Sequence, residues 1–315
     1  MKELLRVQGV KKYFPAKGRG FLKAVDDVSF SVSHREVFGL VGESGCGKST
    51  LARLILRLME PTEGEIFFNG LNVTKAGGQE LSEVRRGMQI IFQDPLASLN
   101  PRMKVVDTIG EALLVNNLVK KGEIKDHVIQ LLDMVGLDTD VLYRYPHEFS
   151  GGQRQRICIA RALAVSPEII VADEALSALD VSIQAQIMNL LEDLQRDTGL
   201  AYLFISHNLL AIEHFSDAVA VMYLGRIVEL SGTEALFKEP MHPYTEALLS
   251  SIPRPKIRGD VKRTVLDGDV PSQLALPPGC PFHPRCPKRF EPCDRKVPEY
   301  KEVRDRRWVA CHLWS

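Results

Sequence analysis

The sequence lacks any apolar run long enough to cross a membrane. A membrane-spanning helix needs about 20 consecutive, largely apolar residues, and no run in the 315 residues approaches that length. The opening MKELLRVQGVKKYF also lacks the apolar centre of a signal peptide. The formal net charge is zero, which disfavours a surface that collects nucleic acid by charge alone. We therefore expect a cytosolic protein without a nucleic-acid partner.

Cysteine is nearly absent from most of the chain and collects in its tail. Only Cys46 and Cys158 lie outside the tail, and four of the six cysteines follow residue 252, as do ten of the eighteen prolines. Proline at this density disfavours long helices and central strands, so the tail can bury little apolar surface. It is expected to be either a loose tail or a small module stabilised by something other than an apolar core of its own.

Apolar, strand-like runs alternate with helical patterns before residue 252. The runs are VFGLVG, EIFFNG, MQIIFQ, IIVADE, AYLFISH and AVAVMYLG. This alternation predicts an α/β fold with a largely parallel sheet between helices. Residues 104–165 break it with successive helical patterns and no strand. We predict a main domain over residues 1–251, a helical subdomain at about 104–165, and a C-terminal cysteine module over 252–315.

The stretch GESGCGKST has the context of a phosphate-binding loop, because a strand pattern precedes it and a helical pattern follows. Its glycines let backbone N–H groups point at phosphate oxygens, and the helix start adds partial positive charge. Lys48 would contact the β- and γ-phosphates, and the Ser49 hydroxyl would bind Mg²⁺. The predicted nucleotide-binding residues here are Gly42, Glu43, Ser44, Gly45, Cys46, Gly47, Lys48, Ser49 and Thr50.

Polar residues at the ends of further predicted strands complete an ATPase pattern. Asp173 would complete the coordination of Mg²⁺, and Glu174 would face the water that attacks the γ-phosphate. His207 could donate to the γ-phosphate, the alternative being a surface histidine. Gln93 could reach both Mg²⁺ and water, the alternative being a glutamine without a role.

The stretch FSGGQ forms a second anion-binding helix start, about a hundred residues from the first. One chain has no use for two γ-phosphate sites unless they serve different nucleotides. A head-to-tail dimer resolves this, because each phosphate loop would then hold ATP beneath the partner's copy of the stretch. The residues predicted to act in this way are Ser150, Gly151, Gly152 and Gln153.

These motifs, with SALD at 177–180, occur in the order and spacing of ATP-binding cassette (ABC) transporter ATPases, which residues 4–250 resemble. FQDPLASLNPRM, RYPHEFSGGQRQRI, MHPYTEALLSSIP and the cysteine tail resemble, more narrowly, the dipeptide/oligopeptide importer ATPases. The resemblance is to the second of the two unlike ATPases of such importers. It implies a P-loop cassette with a mixed, largely parallel sheet, an antiparallel β subdomain and a helical signature subdomain.

The resemblance also implies roles for single residues. Tyr13 matches the aromatic residue that stacks on adenine, although it could be a packing tyrosine instead. Glu174 matches the general base, His207 the switch histidine, and Asp180 the aspartate that senses the opposite site. The sequence departs from the family pattern at three positions: Arg35 replaces the usual glycine, Ala175 the usual proline, and Asn208 the usual aspartate. None of the three removes a group that would bind phosphate, Mg²⁺ or the attacking water, so we expect the site to hydrolyse ATP.

The function that the resemblance implies is ATP-driven uptake of di- or oligopeptides at the cytoplasmic face of the plasma membrane. Its implied partners are a second, similar ATPase subunit, two integral-membrane permease subunits and an extracytoplasmic peptide-binding protein. One alternative is the same ATPase serving another cargo, such as nickel or a glutathione-like peptide. Another is a soluble cassette ATPase without membrane partners.

The four tail cysteines, Cys280, Cys286, Cys293 and Cys311, are separated by five, six and seventeen residues. Four thiolates can hold Zn²⁺ or an iron–sulfur cluster, but this spacing lacks the C-x₂₋₄-C start typical of zinc sites, and unliganded cysteines are the alternative. Relatives with the same CPF-x-x-R-C pattern hold a [4Fe–4S] cluster. The resemblance therefore implies such a cluster here, with Zn²⁺ as the alternative. His312 could replace one cysteine as a ligand, but a solvated histidine is the favoured interpretation.

Overall fold

The computed structural model describes residues 2–16, 20–252 and 271–314. Residues 253–270 of the predicted C-terminal module therefore lie outside the described residues. The strands are β1 (Glu3–Ala16), β2 (Gly20–Ser33), β3 (Val37–Val41), β4 (Glu63–Phe68), β5 (Leu71–Asn72), β6 (Met88–Ile91), β7 (Ile169–Asp173), β8 (Ala201–Ile205), β9 (Ala218–Tyr223), β10 (Arg226–Gly232), β11 (Lys301–Arg304) and β12 (Arg307–Val309).

In chain order, the helices mainly connect successive strands. They are α1 (Lys48–Ile55), α2 (Gly78–Gly87), α3 (Pro95–Ser98), α4 (Val105–Val115), α5 (Ile124–Met134), α6 (Gly151–Leu163), α7 (Val181–Thr198), α8 (Leu209–Phe215), α9 (Thr233–Lys238) and α10 (Pro243–Ser250). Among the residues that the structure describes, no helix combines the length and apolar character that a membrane span requires.

The main sheet has the strand order β11-β12-β10-β9-β3-β8-β7-β6. Strands β6, β7, β8, β3 and β9 run parallel, and the other three pair antiparallel. Every residue of β3, β7 and β8 is buried, as expected for parallel strands covered on both faces. The carboxyl ends of β3, β6, β7 and β8 therefore share one edge, where we expected the ATPase residues.

Two smaller parts adjoin this sheet. Strands β2, β1, β4 and β5 form a separate antiparallel sheet, which confirms the predicted β subdomain. The structure describes every residue from 104 to 165, and this range contains α4, α5 and α6 but no strand. The mixed α/β cassette with a helical subdomain is thus confirmed, whereas the domain boundary at residues 251 and 252 stays a prediction.

The described part of the C-terminal module packs on the main domain and is not a loose tail. Phe282 is only 1% exposed and lies against Tyr223 and Tyr244, with ring centroids 5.3 and 5.4 Å away. Strand β12 pairs with β10 and β11 and is therefore an interior strand. The expectation that the tail contains no such strand is wrong, because its last proline is Pro298 and the following residues keep their backbone donors.

Candidate nucleotide-binding and hydrolysis site

The loop between β3 and α1 takes a conformation that requires glycine. Gly47 has φ 112°, and a Cβ on it would lie 2.1 Å from the Ala24 carbonyl oxygen. A Cβ on Gly42 would lie 2.2 Å from the Met222 carbonyl oxygen. Real Cβ atoms do not approach backbone oxygens so closely. The loop is therefore pressed against β2 and β9 in a way that any side chain at these positions would prevent.

Lys48 places its ammonium group at the centre of this loop. The side chain is 4% exposed, and Nζ donates to the carbonyl oxygens of Gly42 at 2.8 Å and Glu43 at 3.2 Å. Cys46 is buried beneath the loop, whereas Ser44 and Gly45 are exposed. A nearly buried cation next to exposed loop residues suits the phosphates of a nucleotide.

Ser49 and Asp173 meet where α1 begins and β7 ends. The Ser49 hydroxyl donates to Asp173 Oδ1 at 2.9 Å. Burial raises the pKa of Asp173, which is 6% exposed, although the hydrogen bond from Ser49 opposes that shift. A hydroxyl and a carboxylate are oxygen ligands of the kind that Mg²⁺ prefers, together with phosphate oxygens. The donor set of these two residues therefore fits Mg²⁺ bound to a nucleotide.

Glu174 contacts three of the other predicted site residues. Its Oε2 accepts from Gln93 Nε2 at 3.3 Å and lies 3.4 Å from His207 Nδ1. Its Oε1 lies 3.8 Å from Lys48 Nζ. The backbone of Glu174 has φ 49°, and its N–H donates to the Ile205 carbonyl at the end of β8. Four predicted residues from four different segments thus converge within one chain.

Tyr13 lies on β1, within a network of polar side chains. Its hydroxyl donates to Asp26, which also accepts from Arg226 at 2.6 and 2.9 Å. Burial alone would raise the pKa of Asp26, but the hydrogen bonds from Tyr13 and Arg226 outweigh burial and lower it. The ring of Tyr13 is half-buried, with Lys23 Nζ 5.4 Å from its centroid. Stacking on adenine stays a prediction.

The signature residues begin helix α6 and bond within it. Ser150 Oγ accepts from the Gln153 N–H at 3.3 Å, and Gln153 Oε1 accepts from the Ser150 N–H at 3.1 Å. This reciprocal cap satisfies two backbone donors of the helix start. Ser150 and Gly151 are exposed, and a Cβ on Gly152 would lie 2.7 Å from Ile183 Cγ2. In the part of the chain that the structure describes, the hydrogen bonds of Ser150 and Gln153 stay within α6 and do not reach the loop at 42–50.

The three residues that depart from the family pattern differ in their structural surroundings. Asn208 caps α8, because its Oδ1 accepts from the N–H groups of Leu210 at 3.1 Å and Ala211 at 3.3 Å. Arg35 has φ 65°, a conformation that glycine adopts more easily. Ala175 is buried. Asp180 is exposed at the start of α7 without a side-chain capping hydrogen bond.

Sequence reasoning missed three contacts from the C-terminal part of the chain to the phosphate loop. Tyr244, Gln273 and Arg285 all hydrogen-bond residues 43–45. Tyr244 and Arg285 each lie in a stretch that carries the family resemblance, MHPYTEALLSSIP and CPF-x-x-R-C. More than 200 residues separate these partners in the chain, so no local pattern could reveal the contacts.

The four tail cysteines lie close enough to influence one another. Burial, with smaller effects from Cys311, Cys293 and Cys286, raises the pKa of Cys280 to about 12. Burial also raises the pKa of Cys311 to about 11. Yet the described residues contain no group of three or more His, Cys, Asp or Glu side chains placed to hold a metal ion. As placed, the thiols do not form the ligand set that we predicted.

Comparison with known proteins identifies the family. The family described as "ABC transporter" matches residues 25–177, and the "Oligopeptide/dipeptide transporter, C-terminal region" matches residues 228–293. The Oligopeptide transport ATP-binding protein AppF of Bacillus subtilis is 51% identical over 321 residues, covering 99% of this chain and 98% of that protein. The chain belongs to the ABC transporter ATPase family.

Further comparisons agree with membership of the ABC transporter ATPases. A putative peptide import ATP-binding protein of Brucella ovis is 49% identical over 98% of this chain and 97% of its own length. Among solved structures, a dimeric ATP-binding cassette, MJ0796, in a post-hydrolysis state with ADP and phosphate, matches with a TM-score of 0.67 and 27% identity. That match covers 73% of this chain and 99% of the other. The cassette fold and the ATPase class are thereby established.

Proposed function

We propose that this ABC ATPase hydrolyses ATP to power the uptake of di- or oligopeptides through a membrane importer. The observation that carries the hydrolysis is the convergence of Lys48, Gln93 and His207 on the Glu174 carboxylate. The peptide cargo is supported by the relatives' names and by the match to the oligopeptide/dipeptide transporter C-terminal region.

In the proposed reaction, Glu174 accepts the proton of the water that attacks the γ-phosphate, while the bond from the γ-phosphorus to the bridging oxygen breaks and ADP leaves. Lys48 offsets the negative charge of the β- and γ-phosphates, and His207 donates to the γ-phosphate. Ser49, Asp173 and Gln93 would hold Mg²⁺, which when bound neutralises phosphate charge. The water must be held at Glu174, and Gln93, within hydrogen-bond reach of that carboxylate, is placed to orient it.

We further propose that two such ATPases act head to tail. Ser150 and Gly151 are exposed, and the signature hydrogen bonds stay within α6. A partner's helix start could therefore close over the γ-phosphate bound by this chain, with Asp180 near the contact. The dimeric state of the MJ0796 cassette supports the pairing of two such subunits. ATP binding would favour the closed pair and hydrolysis would release it.

The importer would supply the membrane subunits and the peptide-binding protein. Its proposed partners are a second, similar ATPase, two permease subunits in the membrane and an extracytoplasmic peptide-binding protein. The chain would then sit peripherally on the cytoplasmic face of the plasma membrane. The match to the peptide-transporter C-terminal region supports this assembly more than it supports a free cassette ATPase.

The test is reconstitution of the chain with its co-purifying membrane subunits in lipid vesicles. We expect peptide plus binding protein to stimulate ATP hydrolysis. Stimulation by nickel and not by peptide would instead establish the other cargo. Hydrolysis that is insensitive to every membrane subunit would establish a soluble cassette ATPase and contradict the proposal.

A metal cofactor in the cysteine module is a separate proposal. The four cysteines, Cys280, Cys286, Cys293 and Cys311, belong to one small module, in which the Cys280 N–H donates to the Cys293 carbonyl at 2.8 Å, and this grouping supports a [4Fe–4S] cluster, with Zn²⁺ as the alternative. The cluster would have a structural role and would stabilise the module at the contact between paired ATPases. Iron, acid-labile sulfide and zinc assays on anaerobically purified protein test it. A protein free of all three, or unchanged pairing and thermal stability in Cys280→Ser and Cys286→Ser, would contradict it.

A further inference from the structure

The C-terminal module contacts the phosphate loop through a paired charge. Arg285 Nη1 donates to Glu43 Oε2 at 2.9 Å, and Arg285 Nη2 donates to Glu43 Oε1 at 3.1 Å. The side chains of Arg285 and Glu43 are 7% and 26% exposed. This two-point geometry is the strongest form of arginine–carboxylate pairing, and it fixes orientation as well as distance.

Glu43 is held at its backbone as well as at its carboxylate. Its N–H donates to Tyr244 Oη at 3.0 Å, and its carbonyl oxygen accepts from Lys48 Nζ at 3.2 Å. Two residues along the loop, the Gly45 carbonyl accepts from Gln273 Nε2 at 3.1 Å. Residues of the C-terminal part therefore hydrogen-bond the loop at both Glu43 and Gly45.

Arg285 is itself fixed by the folded module. Its backbone N–H donates to the Phe282 carbonyl at 3.0 Å, within a turn that lies between Cys280 and Cys286. Phe282 is buried against Tyr223 and Tyr244, and the Cys280 N–H donates to the Cys293 carbonyl at 2.8 Å. The position of the guanidinium thus depends on the packing of the cysteine module.

The charge of Glu43 matters because of where it lies. A carboxylate in a phosphate-binding loop repels a triphosphate unless a cation offsets it. Lys48 is needed for the phosphates themselves, and Arg285 pairs with both carboxylate oxygens of Glu43. The pair therefore neutralises the one acidic residue of the loop and anchors it at the same time.

We propose that Arg285 is a positioning residue for ATP binding: by pairing with Glu43 it orients and neutralises the phosphate loop, and so couples nucleotide affinity to the folded cysteine module. This inference rests on the ATP site of the proposed function. Arg285 acts through Glu43 and not on the reacting atoms, so it should affect affinity for ATP more than the rate of the chemical step.

The test compares the full-length wild-type chain with Arg285→Gln, Arg285→Lys and the double variant Glu43→Gln/Arg285→Gln. The measurements are the Kd of Mg-ATP by equilibrium titration, kcat at saturating ATP, and thermal unfolding. Arg295→Gln is the matched control, because Arg295 is an exposed arginine of the same module, paired with Glu291 at 2.8 Å. We expect the Arg295→Gln variant to bind Mg-ATP with the same Kd as the wild type.

Arg285→Gln should raise the Kd of Mg-ATP about tenfold, the loss expected for one charge-assisted contact, with kcat changed less than about twofold. Arg285→Lys keeps the charge and should stay within about threefold of wild type. The double variant lacks the repelling carboxylate and should recover most of the lost affinity. If Arg285→Gln does not fold, the lysine and double variants carry the test.

A wild-type Kd in Arg285→Gln, even with a lower unfolding temperature, would overturn the inference and leave Arg285 a structural residue. A double variant as weak as Arg285→Gln would also overturn it, because the unpaired charge of Glu43 would then not be the cause of the lost affinity. A wild-type chain that binds no Mg-ATP would instead refute the proposed function, so the two failures are distinguishable.

Discussion

At the residue scale, the contacts of Glu174 are set by its backbone conformation and by three neighbouring side chains. It follows β7 with φ 49°, which turns its carboxylate towards Lys48, Gln93 and His207. Asp173, one residue earlier, points instead at Ser49. Adjacent carboxylates at a strand end thus have separate partners, which suits separate roles in proton transfer and in metal binding.

Replacing Glu174 with glutamine should stop turnover but preserve binding. The amide has the shape of the carboxylate but cannot accept the proton, so the hydrolysis rate should fall at least about 100-fold. ATP should remain trapped between two subunits, which size-exclusion chromatography with labelled nucleotide would detect. Glu83→Gln, an exposed change on α2, is the control. Hydrolysis by Glu174→Gln at the wild-type rate would refute the assignment.

At the scale of elements, the starts of helices α8 and α10 are capped by side chains. Asn208 caps α8, and His242 Nδ1 accepts from the Tyr244 N–H at the start of α10 at 3.0 Å. His242 is 1% exposed, and burial lowers its pKa to about 3. The Asn208 cap directly follows His207, and the His242 cap bonds the backbone of Tyr244, so both helix starts adjoin residues of the ATP site.

His242 should make the protein less stable in mild acid. Its folded-state pKa is about 3, against an ordinary value of 6.5, so below about pH 6.5 only the unfolded chain takes up this proton. This residue's contribution to stability is complete above pH 6.5 and is lost as the pH falls, by about 1.4 kcal/mol per pH unit.

The measurement is the free energy of unfolding by urea between about pH 6.5 and about pH 4. His242→Asn keeps a cap acceptor and should show a shallower pH dependence than the wild type. Glu229 accepts a hydrogen bond from the backbone N–H of His242. This carboxylate is present in both proteins, so its own titration does not distinguish them. His214→Asn removes an exposed histidine and is the control. Equal slopes for the wild type and His242→Asn would contradict the prediction.

The cap of α8 gives a second prediction at this scale. Asn208→Ala leaves two backbone N–H groups without their acceptor and should lower the free energy of unfolding by about 1 kcal/mol. Asn208→Asp, which restores the residue usual in the family, keeps the acceptor and should preserve stability. Urea unfolding at neutral pH measures both variants. Equal losses in the two would show that the cap does not stabilise α8.

At the scale of the whole molecule, one chain carries both halves of the proposed site on different surfaces. The phosphate loop lies at the edge of the main sheet, and the signature begins α6 in the helical subdomain. The C-terminal module meanwhile joins the main sheet through β12. Loop, sheet and module therefore form one packed unit, while the signature faces outward.

Dilution should slow hydrolysis by the isolated chain. If two subunits form each site, the rate per subunit should fall about tenfold for each tenfold dilution below the dimer dissociation constant, by mass action. Steady-state assays at saturating ATP, with a carrier protein against adsorption, measure this. Gly152→Ala, whose Cβ would meet Ile183, should be slow at every concentration. A rate per subunit that is independent of dilution would refute the dimer mechanism.

The amount that could be predicted differs between the parts of the site. Lys48, Ser49, Asp173 and Glu174 were recognisable because short segments next to buried strands have a strong local pattern. The antiparallel β subdomain followed from family resemblance alone. The interior position of β12 was missed, because proline counts over the whole tail hid its proline-free end. The predicted metal ligands came close together but did not form a ligand set.

The sequence by itself determined the phosphate loop, the acidic strand end and the signature, since glycine, charge and apolar spacing act over a few residues. Only the tertiary structure decided that Arg285 pairs with Glu43 and that Tyr244 holds the same loop. Those contacts join segments that are about 200 or more positions apart. Their geometry is set by how the module packs on β9 and β10, and no local pattern encodes such packing.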